Sequence, residues 1–467
     1  MRREPDGLLD PTYDVFLSVC GPDRATGRVL ATELRALGLR VFVDEDRVEP
    51  FTGISRSIWG ALGASKCLVA YYSAEYAVRP SCQRELMAAF LVGQQEGDPT
   101  CRILVINPEP ETRHLRPVEL ADAKFAVPSL GFAEIARLVA KRAAAIDEPI
   151  GETQPARPPR LPARLSAHVR NLVGRYTELW DLHTALFGAD YPLIEELACG
   201  PVASVYGLPG AGKTALVATY AWRFAAAFPG DVRWLTLAGA DAATAVQMLR
   251  EQCAHAGSDM LWVVDDIPED VDTEALLDAL PLVGARTVLI SDRDLFRDQL
   301  PRVRVGPLPN ADATVLLDWY RRPDDEQDET ARDEIAGILG GNPAALVAVG
   351  RYLRDRHGIA SYLSVVDAVR QQEPLVDLVF GRVRRVVNGL GPAERTLLRL
   401  VGELGRFSFS AGCLASMPRL AGVDVSETLA TLLARTTVRR IGSEWRFDPL
   451  IVHAASGLPI QSRQRET

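Results

Sequence analysis

Residues 207–214 read GLPGAGKT, a run that leaves the surrounding chain little choice of fold. The pattern G-x-x-x-x-G-K-T works only between an apolar strand and a helix. Here VASVY (Val202–Tyr206) precedes it and KTALVATYAWRFAAAF follows. Gly207, Gly210 and Gly212 let backbone N–H groups curl around an anion, and the helix N-terminus adds positive partial charge. In that loop Lys213 would reach the β- and γ-phosphates of ATP or the β-phosphate of ADP, and Thr214 would ligate Mg²⁺. Only four of the 52 basic residues are lysines (Lys66, Lys124, Lys141 and Lys213), a bias typical of a GC-rich bacterial genome, so a lysine in this slot stands out. About fifty residues on, LWVVDD ends an apolar run with Asp265 and Asp266. A carboxylate there would hold Mg²⁺ through water, and its neighbour would orient or sense an attacking water.

A chain of 467 residues exceeds one ordinary core and implies two to four domains. Short apolar runs at Asp14–Val19, Leu39–Val43, Cys67–Tyr72 and Ile103–Ile106 alternate with 3.6-periodic stretches at Arg24–Leu37, Ile54–Leu62, Cys82–Gln94 and Phe132–Ile146. Such alternation predicts a parallel sheet covered on both faces, an α/β domain of flavodoxin-like size over 1–147. GETQPARPPRLPAR follows, and its prolines (Pro155, Pro158, Pro159, Pro162) predict a semi-rigid linker over 148–168. A second α/β domain is expected over 169–310, with strands at Val202–Tyr206, Val232–Leu237, Leu261–Val264, Thr287–Ile290 and Val303–Val305. Helical patterns then predict a helical domain over 311–386. The remainder, 387–467, predicts a small helical unit finishing in a hairpin, Val438–Arg440 and Glu444–Phe447 around Gly442. No period of 20–50 residues is visible.

The composition excludes several classes. A net charge of −9 and a pI near 5.4 argue against a nucleic-acid binder driven by bulk electrostatics. No apolar run approaches the ~18 residues of a membrane span, and MRREPDGLLDPTYD has no signal-peptide core. Seven scattered cysteines without a C-x-x-C pair fit a reduced, cytoplasmic protein.

Further segments resemble the NB-ARC/STAND family of P-loop switch proteins. LVGRYTEL (Leu172–Leu179) is similar to the segment that borders the adenine, which implies contacts from Val173 and Arg175. TVLISDR (Thr287–Arg293) resembles the sensor strand, with Arg293 monitoring the γ-phosphate. GGNPAAL (Gly340–Leu346) resembles G-L-P-L-A, whose proline, here Pro343, packs near the base. The last motif departs: RFDPLIVHAA puts Asp448 where the family has a histidine on the ADP β-phosphate. A carboxylate there would be repelled by ~1–4 kcal/mol, so either the ADP-bound state is weakened or Asp448 points elsewhere. The resemblance implies an ADP/ATP switch with a winged-helix-like C-terminal domain. It also implies self-association through the nucleotide-binding domain, and a separate sensor protein or small ligand in place of a repeat sensor.

YDVFLSVCGPD (Tyr13–Asp23), LRVFVDED (Leu39–Asp46) and SKCLVAYYSAEYAVRPSCQREL (Ser65–Leu86) resemble TIR domains over the first ~135 residues, with Ser81 where an aromatic often stands. The resemblance implies self-association through this domain and, in members that cleave NAD⁺, a catalytic glutamate at Glu85. Asp44, Phe51 and Tyr72 are then candidates for binding NAD⁺ beside a gating loop. Nicotinamide leaves as a neutral molecule, so one carboxylate facing an oxocarbenium-like ribose suffices. Two other readings stay open. One is a non-catalytic TIR scaffold; the other is a transcriptional regulator using Arg382, Arg384, Arg385 and Arg395 on DNA.

Overall fold

The computed structural model describes residues 12–43, 54–151, 158–166, 169, 172–191, 199–253, 258–281, 284–356, 360–370, 387–404, 407–435 and 437–456. Asp44, Phe51, Arg382, Arg384 and Arg385 lie outside the described residues.

The first domain runs β1 (Tyr13–Val19), α1 (Arg24–Ala36), β2 (Val41–Val43), α2 (Ile54–Gly63), β3 (Ser65–Tyr71), α3 (Ala74–Val78), α4 (Pro80–Gln95), β4 (Ile103–Ile106), α5 (Val118–Asp122) and α6 (Phe132–Ala143). Its four strands are parallel in the order β2-β1-β3-β4. Side chains alternate across a strand, and here both faces are buried. Val15, Leu17, Cys67 and Val69 pack with α1 and α6, whereas Phe16, Leu68 and Ala70 pack toward α2 and α4. β2 is shorter than the sequence predicts because the Leu39 amide is used on the Leu34 carbonyl, closing α1 beyond Gly38 (φ +82°).

The second domain comprises α7 (Tyr176–Phe187), β5 (Val202–Tyr206), α8 (Lys213–Arg223), β6 (Val232–Thr236), α9 (Ala242–Cys253), β7 (Met260–Asp265), α10 (Thr273–Leu277), β8 (Ala285–Ser291) and β9 (Arg302–Arg304). Its sheet is parallel in the order β6-β7-β8-β5-β9. Four helices follow: α11 (Asn310–Asp318), α12 (Glu326–Ile338), α13 (Pro343–Asp355) and α14 (Tyr362–Arg370). The last unit runs α15 (Pro392–Leu404), β10 (Ser408–Ser410), α16 (Ala411–Ala415), α17 (Val425–Ala434), β11 (Val438–Ile441), β12 (Glu444–Phe447) and α18 (Pro449–Ser456). Its antiparallel sheet has the order β10-β12-β11.

The proline-rich segment is tied down at its start. Ile150 N–H donates to Ser65 O (2.8 Å) and Gly151 N–H to Gly63 O (2.8 Å), and the Ile150 side chain is buried. Beyond it the first two domains share one apolar cluster, in which Met87 and Phe90 of α4 join Trp180 of α7 and Tyr220 and Phe224 of the α8 end.

Candidate functional sites

The loop between β5 and α8 is built around positions that exclude a side chain. A Cβ on Gly207 would lie 2.3 Å from Val305 O, and one on Gly210 (φ +82°) 2.8 Å from Ala344 Cβ. Lys213, 7% exposed, donates to Gly207 O (2.8 Å), Leu208 O (3.1 Å) and Asp292 Oδ1 (2.6 Å). Thr214 Oγ1 donates to Asp265 Oδ1 (3.2 Å), which also accepts Asp266 N–H (3.0 Å). Burial, with the charge of Asp266 beside it, pushes the Asp265 carboxyl up to about 6. Asp266 holds a left-handed backbone (φ +58°), uncommon outside glycine, and its carboxylate accepts Thr236 Oγ1–H (3.4 Å).

A hydroxyl and a carboxylate side by side at the foot of a phosphate loop are the hard oxygen donors that Mg²⁺ takes. Among the described residues no cluster of three acidic, histidine or cysteine side chains could hold an ion alone. Thr214 and Asp265 would therefore share the cation with phosphate oxygens and water.

The other sequence-selected residues surround this loop in different ways. Arg175, in a left-handed conformation (φ +65°) ahead of α7, donates to Ala211 O (3.2 Å), Gly306 O (2.6 Å) and Glu178 Oε1 (2.6 Å). It braces the loop from behind. Val173 packs with Leu208 and Leu308 in the apolar cluster of the helical lobe. Pro343 opens α13, its Cγ 3.8 Å from where a Cβ of Gly212 would stand. Arg293 pairs with Glu269 at the loop after β7.

Asp448 and Tyr72 both make structural contacts. Asp448 lies at the start of α18, where its Oδ1 accepts Ile451 N–H (3.3 Å) while its own N–H donates to Thr437 O (3.1 Å). It caps the N-terminus of α18, where a carboxylate is favoured, which supports the alternative that it points elsewhere than a phosphate. Tyr72 is fully buried, and burial pushes its phenol up to about 12. The hydroxyl donates to Arg116 O (3.1 Å) and accepts Arg116 N–H (3.2 Å), and the ring packs 4.7 Å from that of Tyr76. It belongs to the core and presents no face to a ligand.

Sequence reading missed Asn342 and Asp292. Asn342 donates from Nδ2 to Pro209 O (3.2 Å) and caps α13 through its Oδ1, and Ala344 N–H reaches Gly210 O (3.1 Å). The helical lobe is thereby fastened to the phosphate loop.

In the first domain, a cleft of about 240 Å³ opens at the C-terminal end of β1 and is lined by Ser18, Cys20, Arg24, Arg79, Cys82 and Glu85, among others. Glu85 sits in the second turn of α4, which begins with Arg79–Pro80, an extended residue followed by proline at N1. Glu85 is 8% exposed, and its carboxylate accepts Ser18 Oγ–H at 2.6 Å. Ser18 Oγ also meets Tyr76 OH at 2.9 Å, so the strand end fixes the rotamer of Glu85. Ser18 has no local sequence signal; it is brought to Glu85 only by the sheet.

The cleft thiols are poor nucleophiles. Burial pushes Cys82 up to about 12, helped by the charge of Glu85, and burial together with the Asp23 carboxylate raises Cys20. Thiols held protonated at neutral pH leave Glu85, Arg24 and Arg79 as the acidic and basic side chains that line the cleft.

Residues 15–135 match the family model for the TIR domain. The N-terminal domain is a TIR domain. The chain joins it to a P-loop NTPase fold, as the parallel sheet and the loop between β5 and α8 show. Among solved structures, the chain is similar to a Walker-type ATPase of Pyrococcus abyssi, 12% identical with a TM-score of 0.41, over 64% of this chain and 99% of that one. The TIR domain of the Toll-related receptor TRR-2 of Hydra magnipapillata is 18% identical with a TM-score of 0.23, over 28% of this chain and 99% of that one. A search of curated proteins returns no significant match. No described helix is long and apolar enough to cross a membrane.

Proposed function

We propose that the chain is a nucleotide-controlled switch of the NB-ARC/STAND type whose TIR domain cleaves NAD⁺ at the nicotinamide–ribose bond, in an immune-type role such as antiphage defence. The observation that carries the catalytic half is the Glu85 carboxylate, clamped by Ser18 inside a cleft that also carries Arg24 and Arg79. In the reaction the C1′–N1 bond breaks, and its electron pair neutralises the pyridinium nitrogen, so nicotinamide departs without a proton donor. Glu85 stabilises the positive charge left on the ribose. Water then adds to C1′ and loses its proton, giving ADP-ribose; capture by the adenine ring of the same molecule would give a cyclic product.

The switch half rests on the phosphate loop and on the lobe fastened to it by Asn342 and Ala344. ATP and ADP would bind the two arrangements of these lobes with different affinity and so set their populations. Self-association of the ATP-bound form would complete the TIR clefts.

The test is NAD⁺ consumption by concentrated protein with ATP and Mg²⁺, comparing wild type with Glu85→Ala and Lys213→Ala. Loss in both variants is expected. Turnover surviving Glu85→Ala would remove the catalytic assignment, and a wild type inactive across nucleotides and concentrations would leave the scaffold reading.

A further inference from the structure

The helix that bears Glu85 is held from outside its own domain. Two residues before Glu85, Gln83 Oε1 accepts Trp180 Nε1–H at 2.9 Å. Two residues after it, Met87 Sδ accepts Arg223 Nη1–H at 3.1 Å. One turn further, the Phe90 ring lies 5.2 Å from Trp180 and 5.5 Å from His183, both edge-on, and 6.1 Å from Phe224. Beside this cluster Glu119 Oε1 of the TIR domain meets His183 Nε2 at 2.8 Å, and His183 Nδ1 meets Tyr220 OH at 3.0 Å. Trp180 and His183 are buried to 0% and 1% exposure.

The partners on the second domain are not arbitrary. Tyr220 and Arg223 belong to the last turn of α8, and Phe224 follows it. The same helix opens with Lys213 and Thr214 at the phosphate loop. Ten residues of α-helix span about 15 Å. One short rigid helix therefore touches the nucleotide site at its start and the Glu85 helix at its end.

We infer that this α8–α4 contact is the joint through which the nucleotide governs the TIR cleft, and that the docked joint is the resting state. The inference rests on the proposed switch and NAD⁺-cleaving reading and names its regulation. In the docked state α4 is packed on the chain's own nucleotide-binding domain. Its Met87–Phe90 face is then covered and cannot meet a second TIR domain. A phosphate seated between Lys213 and the helix N-terminus shifts α8 as a rigid body, and Arg223 and Tyr220 move with it. The joint is polar enough to part: Glu119 Oε2 is buried beside His183 and meets no donor among the described residues. Such a group gains when water reaches it.

Two measurements on the full chain test this. The first is amide hydrogen exchange with ADP·Mg²⁺ or ATP·Mg²⁺ added to wild type and to Lys213→Ala. Exchange in α4 and α7 is expected to rise at least fivefold with ATP in wild type only; protection unchanged by nucleotide in both segments would overturn the joint. The second is NAD⁺ turnover by Trp180→Ala and by Arg223→Ala, the latter removing a half-buried side chain that the fold tolerates. Both are expected to consume NAD⁺ without ATP, at rates at least fivefold above nucleotide-free wild type. Wild-type dependence on ATP in both would also overturn the joint. Opening without turnover in any variant would remove the NAD⁺ reading and leave the joint standing. Glu85-dependent turnover with no opening would do the reverse.

Discussion

Lys213 Nζ donates to Asp292 Oδ1 at 2.6 Å, so the lysine that would meet a nucleotide's phosphates already has a carboxylate partner. A phosphate and Asp292 compete for one ammonium. The exposed side of this pair faces solvent, where such a contact contributes about 1 kcal/mol or less. Asp292→Asn is therefore expected to tighten ATP and ADP binding by about fivefold in calorimetric titration. Weaker binding would instead place Asp292 among the groups that hold the cation or its water.

Ser18 and Glu85 are joined by a 2.6 Å bond inside the TIR cleft. Removing the hydroxyl takes away this bond to the carboxylate and leaves the arginines that line the cleft in place. Ser18→Ala should lower kcat for NAD⁺ cleavage by about tenfold with KM little changed, the loss of one well-aligned charged hydrogen bond. Ser18→Thr, which keeps the hydroxyl, should restore most of it. Equal losses in both variants would reveal a packing role only.

Asp448 caps α18, so its removal should be felt as stability and not as nucleotide affinity. Asp448→Ala is expected to destabilise the C-terminal domain by about 1 kcal/mol in urea unfolding, with Asp448→Asn close to wild type. A large change in ADP affinity with either variant would return the residue to the phosphate.

Asp328 anchors the helical domain. Its Oδ2 accepts Arg321 Nη1–H (2.6 Å), and its Oδ1 accepts the amides of Tyr362 (2.7 Å) and Leu363 (3.3 Å). Burial alone would raise this carboxyl, but the Arg321 bond and the backbone amides outweigh it and lower it. A lowered folded value means stability that is complete above the unfolded pKa of about 3.9 and is lost as pH falls through the folded value. Asp328→Ala should cost about 3 kcal/mol at pH 7, because it removes the buried partner of the Arg321 guanidinium and leaves it the exposed Asp324. The gap between wild type and variant should shrink toward pH 3, as read by hydrogen exchange in α12 and α14.

The regular elements were legible because their periods are. β5 begins and ends where VASVY does, and the glycines around Lys213 announce a phosphate loop before any coordinate is seen. Asp448 was legible too, through a different signal: Asp followed by Pro449 is an N-cap with proline at N1, which comparison with a histidine motif obscured. Tyr72, one residue past β3, continues the side of Leu68 and Ala70, and in a parallel sheet covered on both faces a tyrosine there is buried. The pairs that make the sites are another matter. Ser18 and Glu85 are 67 residues apart, Lys213 and Asp292 are 79 apart, and Gln83 and Trp180 are 97 apart. No local rule couples residues at such distances; the order of strands in the sheets brings them together.

The packing of α4 also bears on how the molecule can be taken apart. Cut after Gly151, the TIR domain would keep its sheet and its cleft but turn Met87 and Phe90 out to water. A fragment prepared that way would present a greasy stripe, prone to clump or to stick to whatever apolar surface is offered. Its behaviour in a test tube would report on that wound as much as on the chemistry of Glu85.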